Sequence, residues 1–277
     1  MINVSIVTYL TPLEDVLNAV STCCESLLVE NIFVIDNSPH DGLCESLPSE
    51  NKVKYIHNPS NPGYGAAHNI AIKKSLLQTT PFHLVLNADV IFDYRILEQI
   101  VSYANRYGSV GLISPKILYE DGSVQCSRKL LPTPINMFLR AFLPKSFRTR
   151  IDDKFQLKYF GYNRPLFVPY VSGAFMFLRT SVLKKIGVFD ERFFLYPEDI
   201  DLSRRIAKDS EVRFVPDFVI THKYGGATRK SLRMFIIHAY NMCRYFNKWG
   251  WFFDKGRRDL NKYTLKQKSI SKLDEDL

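Results

Sequence analysis

The 277-residue chain is 46% hydrophobic and 23% charged, which is typical of a folded protein and excludes a disordered, highly charged chain. Its 5 cysteines form no Cys-x-x-Cys pair, which argues against a cysteine zinc site and against a disulfide framework. The net charge of +9 is concentrated in residues 128–164, with 9 basic and 2 acidic residues, and in residues 223–268, with 12 and 2. These segments predict an anionic partner; the alternative is a solvated surface.

Short apolar runs alternate with helical patterns in the first half of the chain. This alternation predicts an α/β fold with a mostly parallel, doubly wound sheet. The predicted elements are, in chain order, strand Val4–Thr8, helix Leu13–Leu28, strands Ile32–Asp36 and Val53–His57, helix Ala66–Leu77, strand His83–Leu86, helix Tyr94–Arg106 and strand Val110–Ser114.

After Pro115 the alternation breaks. Asp-Gly at the centre of Tyr119–Ser123 predicts a hairpin turn, and the prolines and basic charge of residues 130–168 predict a mobile or partner-shaped excursion outside the core. The remaining predicted elements are strand Val171–Leu178, helix Pro197–Lys208, strands Val212–Phe214 and Phe218–Thr221, and an amphipathic helix Ser231–Phe246 followed by a basic tail.

The N-terminus has neither the basic segment nor the apolar run of a signal peptide. The apolar run Met234–Cys243 has ten residues without a charge, about half of what a membrane span needs. We therefore expect a cytoplasmic protein that does not cross a bilayer.

Acidic residues follow three predicted elements at positions where α/β sheets bind ligands, outside the carboxyl ends of strands. Asp36 closes the second strand, Asp89 follows a buried strand in Leu-Asn-Ala-Asp-Val, and Asp199 lies in the segment Tyr196–Leu202. Asn87 and Asp89 can face one divalent cation, which would neutralise a nucleotide diphosphate. The alternative is that Asp89 caps the helix that starts near Asp93.

Glu198, Asp199 and Asp201 are also open to two interpretations. Acids in a first helical turn stabilise the helix dipole, and Asp201 and Arg205 are spaced as an i,i+4 pair. A carboxylate beside the aromatic residues that precede this turn would instead have a raised pKa, which suits a general base.

His222 ends a predicted strand and precedes two glycines and three cations, a composition suited to a loop over phosphates; a structural histidine is the alternative. Gly63-x-Gly65 suggests a dinucleotide site, but His68 stands where the third glycine belongs. The pattern therefore argues against a nicotinamide or flavin enzyme.

Several motifs occur together in a fixed order over about residues 3–231. They are Val4–Tyr9, Ile35–Ser38, Asn58–Asn69, Leu86–Val90, Ser172–Met176, Gly187–Glu191, Phe194–Leu202 and His222. This series resembles the family 2 inverting glycosyltransferases with the GT-A fold, and is similar to the bacterial rhamnosyltransferase-like branch. The resemblance implies a catalytic domain in residues 1–230, with a nucleotide-binding half in 1–115 and an acceptor half in 116–230, and a C-terminal helical extension in 231–277.

The resemblance also implies roles for individual residues. Asp199 resembles the catalytic base, and Asp89 and His222 resemble the metal ligands. The residues that resemble the donor site are Thr8, Tyr9, Asp36, Asn69 and Asn87, and those on the acceptor side are Asp190, Glu191 and Glu198. The chain departs from the family pattern at Leu10, where asparagine is usual, and at Asn87, which replaces the first acid of Asp-x-Asp.

The implied activity is transfer of a sugar, with rhamnose from dTDP-rhamnose as the leading candidate, to a saccharide acceptor in bacterial surface polysaccharide synthesis. Mg²⁺ or Mn²⁺ is the implied cofactor. A lipid-linked acceptor and peripheral binding to the anionic inner face of the cell membrane are expected, and no nucleic-acid partner. Two alternatives are a non-catalytic binding module of the same fold and a nucleotidyltransferase. The latter needs a glycine-rich loop after the first strand, where this chain has Thr8–Pro12.

Overall fold

A computed structural model describes residues 1–142, 145–223 and 232–273. Its strands are β1 Ile2–Thr8, β2 Val29–Asp36, β3 Val53–His57, β4 Phe82–Asn87, β5 Val90–Ile91, β6 Val110–Leu118, β7 Arg128–Lys129, β8 Leu166–Phe167, β9 Tyr170–Val171, β10 Phe175–Arg179 and β11 Glu211–His222. Its helices are α1 Leu13–Glu25, α2 Tyr64–Leu77, α3 Arg95–Arg106, α4 Pro134–Phe142, α5 Lys145–Phe155, α6 Thr180–Ile186, α7 Glu198–Asp209, α8 Leu232–Trp249 and α9 Lys255–Leu273, with short 3-10 turns at Cys44–Ser46 and Lys158–Phe160.

The central sheet has the strand order β3-β2-β1-β4-β10-β6-β11-β5, and β8 pairs with β11 beside this path. Strands β3, β2, β1 and β4 are parallel, whereas β10 runs antiparallel to both of its neighbours, β4 and β6. The carboxyl ends of β1, β2 and β4 therefore share one edge. The amino end of β10 lies at the same edge because this strand runs in the opposite direction.

Helices cover both faces of the sheet because alternate side chains of each buried strand point to opposite sides. Leu84 and Leu86 of β4 pack in one apolar cluster with residues of α1 and α3. Val85, between them, packs in a second cluster with residues of α2, α6 and α7. The doubly wound sheet predicted from the sequence is confirmed.

Strand β6 and its neighbour β11 differ from the prediction. The expected break after Pro115 is wrong, since β6 continues to Leu118 and pairs with β11 along both halves. The two short strands expected between Val212 and Thr221 are one strand with an irregularity between Val215 and Val219. Pro216 lies in this irregularity, where a residue without an N–H group costs no ladder hydrogen bond.

The segment of residues 130–168 is not an excursion outside the core. Its side chains Phe155, Leu157 and Phe160 are buried in the cluster that contains α7. The hairpin turn at Tyr119–Ser123 is confirmed. The Tyr119 N–H donates a 2.8 Å hydrogen bond to the Ser123 carbonyl, and the Gly122 N–H donates a 3.0 Å hydrogen bond to the Tyr119 carbonyl.

The C-terminal residues form two helices, α8 and α9, where the sequence predicted one helix and a basic tail. Met242, Tyr245 and Phe246 of α8 pack in a third cluster with Ile200 of α7. None of the helices in the described ranges has both the length and the hydropathy to span a membrane.

Candidate active site

The ends of β1 and β2 hold Asp36 in a fixed, buried position. Thr8 and Asp36 are paired residues of these strands, and Thr8 Oγ1 donates a 3.0 Å hydrogen bond to Asp36 Oδ1. The main-chain N–H of Ser38 donates to the same oxygen, and the Tyr55 hydroxyl donates to Oδ2, both at 3.0 Å. Burial raises the pKa of Asp36, but these hydrogen bonds outweigh it and bring the pKa below its usual range. The carboxylate is therefore a stably ionised acceptor.

Tyr9 and Leu10 continue the chain from this edge toward solvent. Tyr9 is 53% exposed, and Leu10 adopts φ 50° while its N–H donates a 2.8 Å hydrogen bond to Ser38 Oγ. The Tyr9 ring is thus available beside Thr8 for stacking on a planar ligand group.

Asn87, Asp89 and His222 lie together although His222 is more than 130 positions away in the chain. Strand β5 pairs antiparallel with the end of β11, and the N–H of Lys223 donates a 2.9 Å hydrogen bond to the Asp89 carbonyl. His222 Nε2 therefore lies 3.1 Å from Asp89 Oδ1 and 3.4 Å from Asn87 Nδ2. The glycine-rich loop predicted after His222 falls in residues 224–231, outside the described ranges.

The Asp89–His222 pair fits a divalent cation. The Gln125 side-chain oxygen lies 3.0 Å from His222 Nδ1, which sets the proton of the neutral ring on Nδ1. Burial raises the pKa of Asp89, but the hydrogen bond and the charge of His222 bring it below its usual range, which makes this carboxylate a suitable cation ligand. Carboxylate oxygen and imidazole nitrogen both bind divalent cations, so Asp89 and His222 would hold such an ion.

The alternative role of Asp89 as a helix cap is taken by another residue. Asp93 Oδ1 accepts a 2.9 Å hydrogen bond from the N–H of Arg95, the first residue of α3. Asp89 is therefore not needed to cap this helix.

Asp199 lies in the first turn of α7 and is half-buried. Its Oδ2 accepts a 3.1 Å hydrogen bond from the Gly173 N–H. Burial raises the pKa of Asp199, while the charge of Lys129 partly opposes that rise. A carboxylate with a raised pKa is a better proton acceptor for a hydroxyl group than an ordinary surface acid.

Tyr64 connects Asn87, beside the Asp89–His222 pair, with the segment that holds Asp199. The sequence analysis did not identify Tyr64 as a site residue. Its hydroxyl lies 2.8 Å from Asn87 Oδ1 and 2.9 Å from the Gly173 carbonyl oxygen. The same Gly173 donates its N–H to Asp199. Tyr64 therefore joins the element that carries Asn87 to the element that holds Asp199.

Close packing beside Gly63 sets the position of Tyr64. Gly63 has φ 104°, and a Cβ there would lie 2.2 Å from the Phe194 carbonyl oxygen. The Tyr64 N–H donates a 2.9 Å hydrogen bond to that oxygen. The signal in the sequence was an aromatic residue between two glycines at the start of a helix.

Glu198, next to Asp199, is 4% exposed. Burial and the Asp199 charge raise the pKa of Glu198 well above its usual range. In the described part of the chain, no donor lies within hydrogen-bond distance of Glu198 Oε2. Both effects favour the protonated form of Glu198 over the carboxylate.

Asn69, Asp190 and Glu191 form contacts among themselves and with basic residues. The Asn69 amide bonds to both main-chain polar groups of Phe189 and donates 2.9 Å to Glu191. Glu191 pairs with Lys73 at 2.9 Å; Asp190 pairs with Arg192 at 2.6 Å and with Lys248 at 2.8 Å. These contacts fix the segment that leads to Phe194.

The comparisons with known proteins agree on one class. The family model described as Glycosyl transferase family 2 matches residues 4–187. N-acetylglucosaminyl-diphospho-decaprenol L-rhamnosyltransferase of Mycobacterium tuberculosis is 27% identical over 215 residues, 73% of this chain and 69% of that protein. Low-salt glycan biosynthesis hexosyltransferase Agl10 of Haloferax volcanii is 27% identical over 185 residues, 66% of this chain and 55% of that protein.

Two solved structures share the architecture. GalNAc-T7, crystallised with UDP, GalNAc and Mn²⁺, superposes with a TM-score of 0.59 at 17% identity over 80% of this chain. TarS of S. aureus superposes with a TM-score of 0.54 at 16% identity, also over 80%. The chain spans 43% and 36% of these two proteins. Likeness at these identities concerns the fold alone, and it confirms the GT-A fold predicted from the sequence.

Proposed function

Because the chain belongs to glycosyl transferase family 2, we propose that it transfers a sugar from a nucleotide-diphosphate donor to a hydroxyl group of a saccharide acceptor. One observation carries this proposal: Tyr64 joins the Asn87–Asp89–His222 cluster to the segment that holds Asp199. Sugar transfer needs a group that neutralises the leaving diphosphate and a base that takes the proton of the acceptor hydroxyl. The two must lie close together, since both act on the same anomeric carbon.

We assign the donor to the edge formed by β1, β2 and β4. Asp36 accepts hydrogen bonds from the nucleotide base, Tyr9 stacks beside it, and Thr8 holds the Asp36 carboxylate. Asn87 contacts the diphosphate side. Asp89 and His222 would hold Mg²⁺ or Mn²⁺, which supplies positive charge next to the leaving diphosphate.

Asp199 takes the proton of the acceptor hydroxyl. The hydroxyl oxygen forms a bond to the anomeric carbon as the bond from that carbon to the diphosphate oxygen breaks. One displacement from the opposite face inverts the configuration, through a transition state like that of glycoside hydrolysis. The acceptor lies toward Asp190, Glu191 and Glu198, and Asn69 keeps that segment in place through its contacts with Phe189.

The choice of substrates rests on the relatives. The mycobacterial relative is named as a rhamnosyltransferase acting on a lipid diphosphate. We therefore propose dTDP-rhamnose as donor and a lipid-linked saccharide as acceptor, in the synthesis of a polysaccharide at an anionic membrane surface.

Calorimetric titration with a panel of nucleotide sugars, with and without Mn²⁺, tests the proposal. We expect one donor to bind in a Mn²⁺-dependent way, and Asp89→Ala to lose the Mn²⁺ dependence. The matched control is Asp93→Asn, which alters an exposed carboxylate four positions away. If no donor bound with or without Mn²⁺, the proposal would be refuted. Donor binding without transfer to any acceptor would indicate a binding module.

A further inference from the structure

A groove with basic walls lies between α5 and α9. It has a volume of about 640 Å³ and is lined by Leu130, Thr133, Asn136, Arg150, Ile151, Lys154, Phe155, Arg257, Arg258, Asn261, Lys262, Leu265 and Lys266. None of the active-site candidates is among these residues. The groove is therefore a separate feature of the molecule.

The cations form two facing rows. Arg150 and Lys154 are four positions apart on α5, and Arg258, Lys262 and Lys266 are spaced in the same way on α9. Residues four apart lie on one face of a helix, so each row points into the same space. Positive charges in the two rows repel each other, and an anion bound between them removes that cost.

Four cations of the two rows have no carboxylate partner among the described residues. Arg150, Lys154, Arg258 and Lys262 form no ion pair there, whereas Arg257, which also lines the groove, pairs with Asp254. The described residues that line the groove include no aspartate or glutamate. These four side chains are thus available to an anionic ligand.

Apolar side chains line the groove, and further exposed apolar side chains lie on α4 and just before α9. Leu130 and Phe155 are buried in it, and Ile151 and Leu265 complete its apolar surface. On the adjoining helix α4, Ile135 is 58% exposed and Phe138 is 61% exposed, and Phe253, just before α9, is 92% exposed. Cationic walls with exposed apolar neighbours suit a phosphate group attached to an acyl chain better than a polynucleotide, which needs a stacking surface.

We propose that this groove binds the phosphate headgroups of anionic phospholipids and so holds the protein on a membrane surface. The inference rests on the membrane association proposed above, but not on the sugar transfer. Leu130 in the groove directly follows Lys129, whose charge acts on Asp199. The lipid-binding groove and the acceptor side of the active site are therefore joined by strand β7.

Co-sedimentation with vesicles tests the proposal on the full-length protein. The vesicles are phosphatidylcholine with or without about one third phosphatidylglycerol. Near a membrane each basic residue contributes about 1 kcal/mol, so R258Q/K262Q and, separately, R150Q/K154Q should each bind the anionic vesicles at least about tenfold more weakly. The control K54Q/K74Q removes the same charge from exposed positions on β3 and α2, and should bind like the wild type.

Three results would overturn the proposal. Equal weakening in the control and in both groove variants would mean that overall charge, and not the groove, causes binding. Unchanged vesicle binding in both groove variants would exclude lipid contact there. Groove-dependent binding of inorganic diphosphate or of a single-stranded oligonucleotide, with no groove-dependent vesicle binding, would assign the site to a soluble anion or to nucleic acid.

The result is separate from that of the proposed function. Donor titration and transfer to a water-soluble acceptor need no vesicles, so both groove variants should retain them. If the wild type bound vesicles but transferred no sugar, the proposed function would be refuted and the lipid-binding proposal would stand.

Discussion

The donor side and the base side of the candidate site are held in place by different means. On the donor side, Thr8 and Asp36 are neighbours because β1 and β2 pair in parallel and end together. On the base side, Asp199 lies on α7, whose position depends on side chains from the C-terminal helices.

The contacts of α7 show this dependence. Arg204 is 1% exposed, pairs with Asp254 at 2.5 Å and lies 3.9 Å from the centre of the Trp249 ring. Trp249 Nε1 also donates a 2.8 Å hydrogen bond to Asp201. We therefore expect substitutions in residues 232–273 to disturb the base side and to leave the donor side unchanged.

The largest effect is expected for Asp199→Asn, which removes the base and leaves the donor edge intact. A positioned base contributes about 10²- to 10⁴-fold, so kcat should fall by that range with donor affinity unchanged. Steady-state kinetics and donor titration measure the two quantities. Near-normal turnover would exclude Asp199 as the base, and Asp209→Asn at the other end of α7 is the control.

Asp254→Ala should separate the two sides most clearly. It leaves the buried Arg204 charge without its partner, which costs about 3–5 kcal/mol of unfolding free energy. Urea denaturation measures that loss, and Asp259→Ala, an exposed acid in α9, should cost less than about 1 kcal/mol. At temperatures where the variant is folded, we expect donor affinity to persist while kcat falls. A parallel loss of donor affinity and kcat would show that the two sides do not depend on different parts of the chain.

The free energy of unfolding should fall at low pH because of two buried histidines beside the strands of the donor side. His83 lies 2.8 Å from Ser5 Oγ and 2.7 Å from Ser75 Oγ, and His68 lies 2.6 Å from Ser5 Oγ. Burial lowers the pKa of His83 to about 3 and that of His68 well below its usual range.

The unfolded chain therefore binds protons below about pH 6.5 that the folded chain does not, so stability falls with pH from about 6.5 toward 3. For His83 alone the loss at pH 5 is about 2 kcal/mol. Unfolding free energies of the wild type and of His83→Gln between pH 8 and pH 5 test this. Equal slopes in the two proteins would exclude His83 as a cause.

The smallest effect is expected at the junction of the two sides. Tyr64→Phe removes one hydroxyl that lies between Asn87 and Gly173, which costs about 1 kcal/mol and lowers kcat/KM about fivefold. The concentration of Mn²⁺ needed for half-maximal rate should rise as well, which a loss of stability alone would not cause. Tyr240→Phe, an exposed hydroxyl on α8, is the control.

Much of the donor side could be predicted from local sequence patterns. The family 2 resemblance and the fold are both confirmed. Both could be predicted because apolar strands end in polar residues, as in the run from Leu86 to Val90. The structure brings Asn87 and Asp89 together, as their spacing predicts, and adds His222, as the family resemblance implies. Their roles in binding and catalysis stay predictions.

The base side could not be read in this way. Tyr64 and Gln125 form hydrogen bonds to residues 109 and 97 positions away in the chain, and no periodicity in the sequence indicates such contacts. The resemblance placed Asn69 on the donor side, and the sequence did not indicate that its amide also bonds to Phe189 and Glu191. The basic tail forms α9, and Asp254 at its start contacts both Arg204 of α7 and the Arg257 N–H.

The reversed direction of β10 has a consequence for how such a protein can change over time. The strand returns the chain to the edge where β4 ends, and the Asn87 N–H bonds to Ala174 just before β10 begins. The chain between β6 and β10 carries Gln125, which contacts His222, and Lys129, whose charge acts on Asp199. Its exposed turn at residues 120–123 lies apart from these contacts, so insertions or deletions could accumulate at that turn and leave the reacting groups in place.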